Sequence, residues 1–104
     1  MTFDERCYAL LSQIPEGKVS TYKEIAHALG TKAYRAVGNA MNKNPYDKVT
    51  HPCHRVVKSD GTIGDYATGS EAKIKRLTSE GFIIKEGRLV DFSNLLMKAS
   101  EFKI

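Results

Sequence analysis

Apolar residues at Phe3, Cys7, Leu10, Leu11 and Ile14 recur three or four positions apart, the spacing of an amphipathic helix, and the "PEGK" stretch at 15–18 ends it. On that stripe Cys7 reads as a small buried hydrophobe. A second pattern opens at Thr21, followed three positions later by Glu24: a capping box, in which each side chain accepts a hydrogen bond from the other's backbone N–H. A helix is therefore predicted from about Tyr22, with Ile25, Ala26 and Leu29 on its apolar face and Gly30 to end it. A third helix, from about Lys32, puts Ala33, Ala36, Val37, Ala40 and Met41 inward and stops at Asn44 and Pro45.

Two short helices joined by a Gly-containing turn make a helix-turn-helix, whose second helix usually lies in a DNA groove. Such pairs also occur as plain packing units. Here the second helix carries Lys32, Arg35 and Lys43 with no acidic residue between them, which favours a nucleic-acid partner. His27 reads as a surface or satisfied packing histidine.

Further along, Asp60-Gly61 between Val56-Val57 and Ile63 predicts a tight turn between short extended pieces. Glu71 to Ser79 reads as a short basic helix held by Ile74 and Leu77. Phe82 to Ile84 should face Leu89 to Asp91 across Lys85 to Arg88 as a hairpin. Asn94 to Phe102 should form a terminal helix with frayed ends. The expected fold is mostly α with a small β-hairpin, a winged-helix-like DNA-binding domain containing a helix-turn-helix, in one domain over residues 1–104.

Composition adds two points. Lys and Arg outnumber Asp and Glu by 16 to 12, a formal charge of +4 that agrees with a polyanionic partner. The two cysteines, Cys7 and Cys53, follow no secretory leader, and no apolar run reaches membrane-spanning length. Two free thiols in a reducing, cytoplasmic setting are expected.

The chemistry concentrates in "THPCHRVV", residues 50–57. A thiol attacks as thiolate, and an ordinary value near ~8.5 leaves only a few per cent ionised at neutral pH, so a base is needed. His54 is adjacent, but neighbours on an extended strand point to opposite faces, so contact with Cys53 requires a turn or a bridging water. A carboxylate should orient the other imidazole nitrogen. Asp60, Asp65, Glu71, Glu80, Glu86 and Asp91 are candidates, with Glu80 favoured by its place before Gly81 at a helix end. A metal is not expected: Cys7, His27 and His51 fall at no tetrahedral zinc spacing, and no C-x-x-C is present. His51 reads as a loop spectator.

The stretches "IPEGKVSTYKEIA", "YRAVGNAMNKNP", "PCHRVVKSDGTIGDY" and "KRLTSEG" together resemble the C-terminal active-site domain of the O6-alkylguanine-DNA alkyltransferases, from about Ile14 to Asp91. The resemblance implies a methylated-DNA-[protein]-cysteine S-methyltransferase acting once per molecule, with Cys53 taking the alkyl group irreversibly from guanine O6. It implies that His54 is the base through a water, that Glu80 orients it, and that Asn44 holds the cysteine loop. Tyr22 would push the 3′ phosphate and rotate the nucleotide outward, an extrusion that chemistry on a stacked base requires. Arg35 would fill the gap in the stack.

The same resemblance lays Ala36, Gly38 and Asn39 in the minor groove and makes Tyr66 a donor to O6, with Lys73 as a second donor. Lys32, Lys43, Arg55 and Ala67 complete the expected DNA or substrate contacts. Implied too are double-stranded DNA carrying O6-alkylguanine as partner, a monomer, no cofactor, no membrane, a possible repair-pathway protein, and a nucleoid-associated or nuclear location. Thr50 and His51 depart from the family, which usually carries aliphatics there, and Ala67 replaces a frequent serine. The family's N-terminal domain is not expected in this chain. That outline is shared by alkyltransferase-like proteins, which bind alkylated guanine without accepting the alkyl group and usually carry Trp or Ala at the cysteine position. Damage binding without transfer is thus the alternative, and a thiol hydrolase or redox protein without DNA a third.

Overall fold

A computed structural model describes residues 1–104 except Asp65 and Ala67. Helix α1 (Phe3–Leu11) opens with a complete capping box from Thr2 and Glu5. Strand β1 (Ser20–Thr21) leads straight into α2 (Tyr22–Ala28), and α3 (Tyr34–Asn42) follows. Gly30, at φ +75°, ends α2 in a Schellman turn, with Thr31 N–H donating to Ala26 O and Gly30 N–H to His27 O. This is the predicted helix-turn-helix. Its second helix starts at Tyr34 rather than Lys32, because Thr31 Oγ1 accepts from Ala33 N–H and keeps Lys32 in the turn.

The box predicted at Thr21 forms only by half. Thr21 Oγ1 accepts from Glu24 N–H, but Glu24 Oε1 accepts from Ala99 N–H at 2.8 Å, tying α2 to the C-terminal segment instead.

A 3-10 turn over Cys53–Arg55 runs into β2 (Val56–Val57), which pairs in parallel with β1, Ser20 opposite Val56 and Thr21 opposite Val57. That long-range pairing is not legible in two-residue strands. Strand alternation sends Val56 into the cluster of α1, α2 and α3, and Val57 into a second cluster with Val19, Ile63, Leu77, Phe82 and Leu89. The two cores therefore meet along β2, directly after Cys53.

Helix α4 (Ser70–Ser79) and the hairpin of β3 (Ile84–Lys85) and β4 (Arg88–Leu89) follow. The hairpin has the predicted register, Ile84 opposite Leu89, with a tighter turn: Glu86 and Gly87 at φ +53° and +75° make a two-residue connection. Gly61 lies beside it, its carbonyl accepting from Leu89 N–H, and a Cβ there would come within 3.1 Å of the Phe92 ring. The predicted terminal helix is broken. Short α5 (Phe92–Leu95) gives way to an extended stretch in which Val19 N–H donates to Leu95 O and Met97 N–H to Val19 O, before a 3-10 turn over Ala99–Glu101. Pairing beside β1 and burial of Met97 outweigh local helix propensity. The whole is a mostly helical, winged-helix-like fold, with the helix-turn-helix on one side of the cysteine and α4 with the hairpin on the other.

Candidate active site

Pro52, at φ −79° and ψ +75°, is the centre of an inverse γ-turn in which Cys53 N–H donates to His51 O at 2.9 Å. Its ring already holds φ near that value. The 3-10 turn starts on the next residue, with Arg55 N–H donating to Pro52 O. At about three residues per turn, Cys53, His54 and Arg55 point in three directions rather than alternating. Thiol and imidazole thus share one tight turn rather than lying on opposite faces of a strand. Cys53 is 3% exposed and His54 1%, both inside the wall between the two cores.

Glu80 caps the C-terminus of α4, where Gly81 at φ +94° turns the chain back and Leu77 is fully buried. Its carboxylate lies 2.7 Å from His54 Nε2 and is gripped by Arg55, with Nε to Oε1 and Nη2 to Oε2 both at 2.8 Å. Arg55 Nη1 also donates to Ile14 O. Burial works against the Glu80 charge, but the hydrogen bonds from Arg55 and His54 prevail and hold its carboxyl below the usual range. Of the five candidate carboxylates among the described residues, Glu80 is the one on His54. Asp65 lies outside the described residues.

A carboxylate only accepts, so His54 Nε2 carries the proton and Nδ1 of the neutral ring is a bare acceptor. Nδ1 is buried with no hydrogen-bond partner among the described residues. Burial pushes the imidazole below its ordinary value, more than Glu80 raises it, so the neutral form prevails at pH 7.

Tyr66 packs against the core cluster that contains Cys53. Burial and the neighbouring Cys53 push its phenol up to about 12, and its hydroxyl has no partner among the described residues. Lys73 is fully buried rather than open to a ligand. Its Nζ donates to Tyr22 Oη at 3.3 Å and lies 5.6 Å from the Tyr22 ring centre, so it braces α2 from α4. Asn44 Nδ2 donates to His51 O and Asn44 Oδ1 accepts from Tyr46 N–H, holding both ends of the loop before Cys53.

On the outer face, Tyr22, Arg35, Gly38 and Asn39 line one groove together with Tyr34 and Lys58. A second groove shares Tyr22, Tyr34 and Lys58 and continues to Lys23 and Ser59. Tyr34 and Lys58 are not among the residues expected from the sequence, where neither carries a motif of its own. Tyr34 is aimed by His27, whose Nε2 is 2.9 Å from its hydroxyl. Ala36 is half-buried beside Val37 of the core.

Besides Lys73, three expected basic contacts are not brought to that groove. Arg55 is 8% exposed and engaged by Glu80 and Ile14, because a buried guanidinium must satisfy its donors internally. Lys43 Nζ reaches back to Asp4 of α1 at 3.0 Å, and Lys32 borders a separate hollow with His27 and Gly30. Ala67 lies outside the described residues. Cys7 is buried as predicted, its thiol pushed up to about 11 by burial. No group of three or more metal-ligating side chains occurs among the described residues, and no described helix is long and apolar enough to cross a membrane.

The family model described as 6-O-methylguanine DNA methyltransferase, DNA binding domain, matches residues 2–82. The chain belongs to that family. Among relatives, a bifunctional methyltransferase/endonuclease of Picrophilus torridus is 47% identical over 83 residues, 79% of this chain and 28% of its own. A methylated-DNA–protein-cysteine methyltransferase of Methanosarcina barkeri is 47% identical over 72 residues, 68% of this chain and 45% of its own. The chain thus spans less than half the length of these two curated relatives. The solved structure of the Pyrococcus kodakaraensis O6-methylguanine-DNA methyltransferase superposes at a TM-score of 0.69 with 45% identity, covering 78% of this chain and 47% of that one. S. pombe Atl1, solved in complex with damaged DNA containing O6-carboxymethylguanine, gives 0.77 with 36% identity over 94% of this chain and 99% of that one. The span matched by the methyltransferase family model includes Tyr22, Arg35, Cys53, His54 and Glu80.

Proposed function

We propose that this chain repairs DNA by taking an alkyl group from guanine O6 onto Cys53, once per molecule. The observation that carries the reading is a buried thiol followed by a neutral imidazole whose Nε2–H is held by Glu80 and whose Nδ1 is left as the acceptor. Nδ1 takes the thiol proton, directly or through one water. The thiolate sulfur attacks the alkyl carbon; the C–S bond forms as the C–O6 bond breaks, and the electron pair passes to O6. Tyr66, kept protonated by its surroundings, donates a hydrogen bond to O6 as charge builds there. The departing guanine takes up one proton, balancing the one His54 received.

A thiol this buried meets a base only if the nucleotide leaves the stack, at a cost of a few kcal/mol. Tyr22 and Arg35 border the groove where they would turn the nucleotide out and fill its place, with Gly38 and Asn39 beside them to face the minor groove. Asn44 keeps the cysteine loop in place throughout. Duplex DNA carrying O6-alkylguanine is the proposed substrate, bound by a monomer in a reducing cytoplasmic or nuclear setting where the thiols stay free.

The likeness to Atl1 along nearly all of both chains supports a second reading, lesion binding without transfer and relay to another repair protein. Intact mass spectrometry after incubation with a duplex holding one O6-methylguanine separates the two. A single methyl increment, absent from Cys53→Ala, is expected; tight lesion binding by a protein of unchanged mass would select the second reading.

A further inference from the structure

Thr50 and His51, the polar pair where the family usually has aliphatics, are built into a stack of rings. The His51 ring lies on Tyr46, centres 4.3 Å apart and planes 23° from parallel. Tyr46 in turn meets Tyr8 edge to face at 5.5 Å. Tyr8 is a core residue of α1, and its hydroxyl donates to Ala40 O of α3 at 2.9 Å. Thr50 Oγ1 stands 2.9 Å from His51 Nδ1 and fixes the rotation of the ring. A ladder of three aromatic rings thus runs from the helical core to the residue two positions before the thiol.

The backbone of His51 is where this ladder meets the reacting loop. Its N–H donates to Asp47 O, and its carbonyl accepts from both Asn44 Nδ2 and Cys53 N–H, each at 2.9 Å. With Pro52 locked in the γ-turn, the orientation of that one carbonyl sets where Cys53 begins and which way its sulfur points. Tyr46 is 46% exposed, so it does little as core filler. Its ring is placed to orient rather than to bury. Displacement at carbon requires the sulfur in line with the bond that breaks, and small misplacements cost large factors in rate.

We infer that the Tyr8–Tyr46–His51 ladder is a positioning device that aims Cys53 through the His51 carbonyl, an inference that rests on Cys53 being the alkyl acceptor. Single-turnover transfer from an O6-methylguanine duplex at saturation, read by intact mass, is compared with the Kd of the same duplex measured in a Cys53→Ala background. His51→Ala and Tyr46→Ala should each slow transfer about tenfold while Kd stays within about twofold of the parent. His51→Phe, which keeps a flat ring on Tyr46, should restore most of the rate. Parent-like transfer by His51→Ala, a loss residing wholly in Kd, or failure of His51→Phe to rescue overturns the inference. Should His51→Ala not fold, Thr50→Val, which frees the ring nitrogen and leaves the stack, takes its place; a partial loss of rate is expected and none overturns. Iodoacetamide labelling of Cys53, read on the peptide, separates this claim from the functional one. If the parent gains no methyl group, the functional reading fails. The ladder still requires His51→Ala and His51→Phe to label at different rates, and equal rates would remove it.

Discussion

His54 Nε2 and Glu80 Oε2 lie 2.7 Å apart, and the same carboxylate takes two hydrogen bonds from Arg55. One acidic residue at the end of α4 therefore sets the tautomer of His54 and neutralises a buried guanidinium. Glu80→Gln removes the charge and offers a donor where only an acceptor fits. Methyl transfer at saturating DNA should fall at least tenfold, within the range that a positioned general base supplies. Stability should drop by roughly 2 to 3 kcal/mol from the unpaired Arg55, read as a shift in denaturant midpoint. Parent-like transfer with parent-like stability would show that the contact is idle.

Acid acts on the same pair. His54 and Glu80 are both held below their ordinary values in the folded chain, so in the window between the folded and unfolded values the unfolded chain binds more protons. Stability therefore rises with pH there, and is lost as pH falls below about 6.5 for His54 and below about 4.5 for Glu80. The Tm should decline on acidification through both windows. Transfer, which needs neutral His54, should keep at least half its plateau rate at pH 6.5; a midpoint above that value would contradict the buried, neutral imidazole.

Lys73 Nζ and Tyr22 Oη, 3.3 Å apart, join α4 to the start of the helix-turn-helix. A double-mutant cycle of Lys73→Met and Tyr22→Phe should give a coupling of about 0.5 to 1.5 kcal/mol in folding stability. Tyr22→Phe should also slow transfer more than it weakens binding, because its hydroxyl would act on the nucleotide as it turns out. Additive effects on stability would break the link.

Among the basic residues, groove position should outrank charge. Lys58→Ala, in both grooves beside Tyr22, should lower the slope of log K against log salt by about one. Lys43→Ala should change it less, its ammonium being engaged with Asp4. Arg35→Ala should reduce binding of alkylated duplex and transfer alike. Equal salt slopes for the two lysine variants would move the DNA path off this groove.

Gly64 has φ +78°, and a Cβ there would stand 3.3 Å from both Tyr22 Oη and Lys58 Cγ. Gly64→Ala should cost about 1 to 2 kcal/mol, combining left-handed strain with displacement of Tyr22. Thermal unfolding reads the first part and the transfer rate the second. An alanine variant as stable and as fast as the parent would mean that Tyr22 gives way freely.

What the sequence by itself determined is what local physics and residue chemistry encode. Helical spacing and Gly30 marked α1, α2 and the turn to α3; the apolar stretches on either side of Lys85 to Arg88 marked the hairpin; Pro-Cys-His-Arg set a thiol beside an imidazole. Tertiary structure alone decided the partners that are far apart in the chain. Which of six carboxylates met His54 depended on β1 pairing with β2 and on Leu77 docking α4, both long-range events that local propensity does not contain. The family resemblance implies DNA or substrate contacts for Arg55 and Lys73, and Lys43 reads as a phosphate contact on a basic helix. Folding turned the first two inward, where desolvation obliged them to find Glu80 and Tyr22, and turned the third toward Asp4. Thr50 and His51, a mismatch in the linear pattern, became the end of an aromatic ladder only once Tyr46 and Tyr8 were brought beside them.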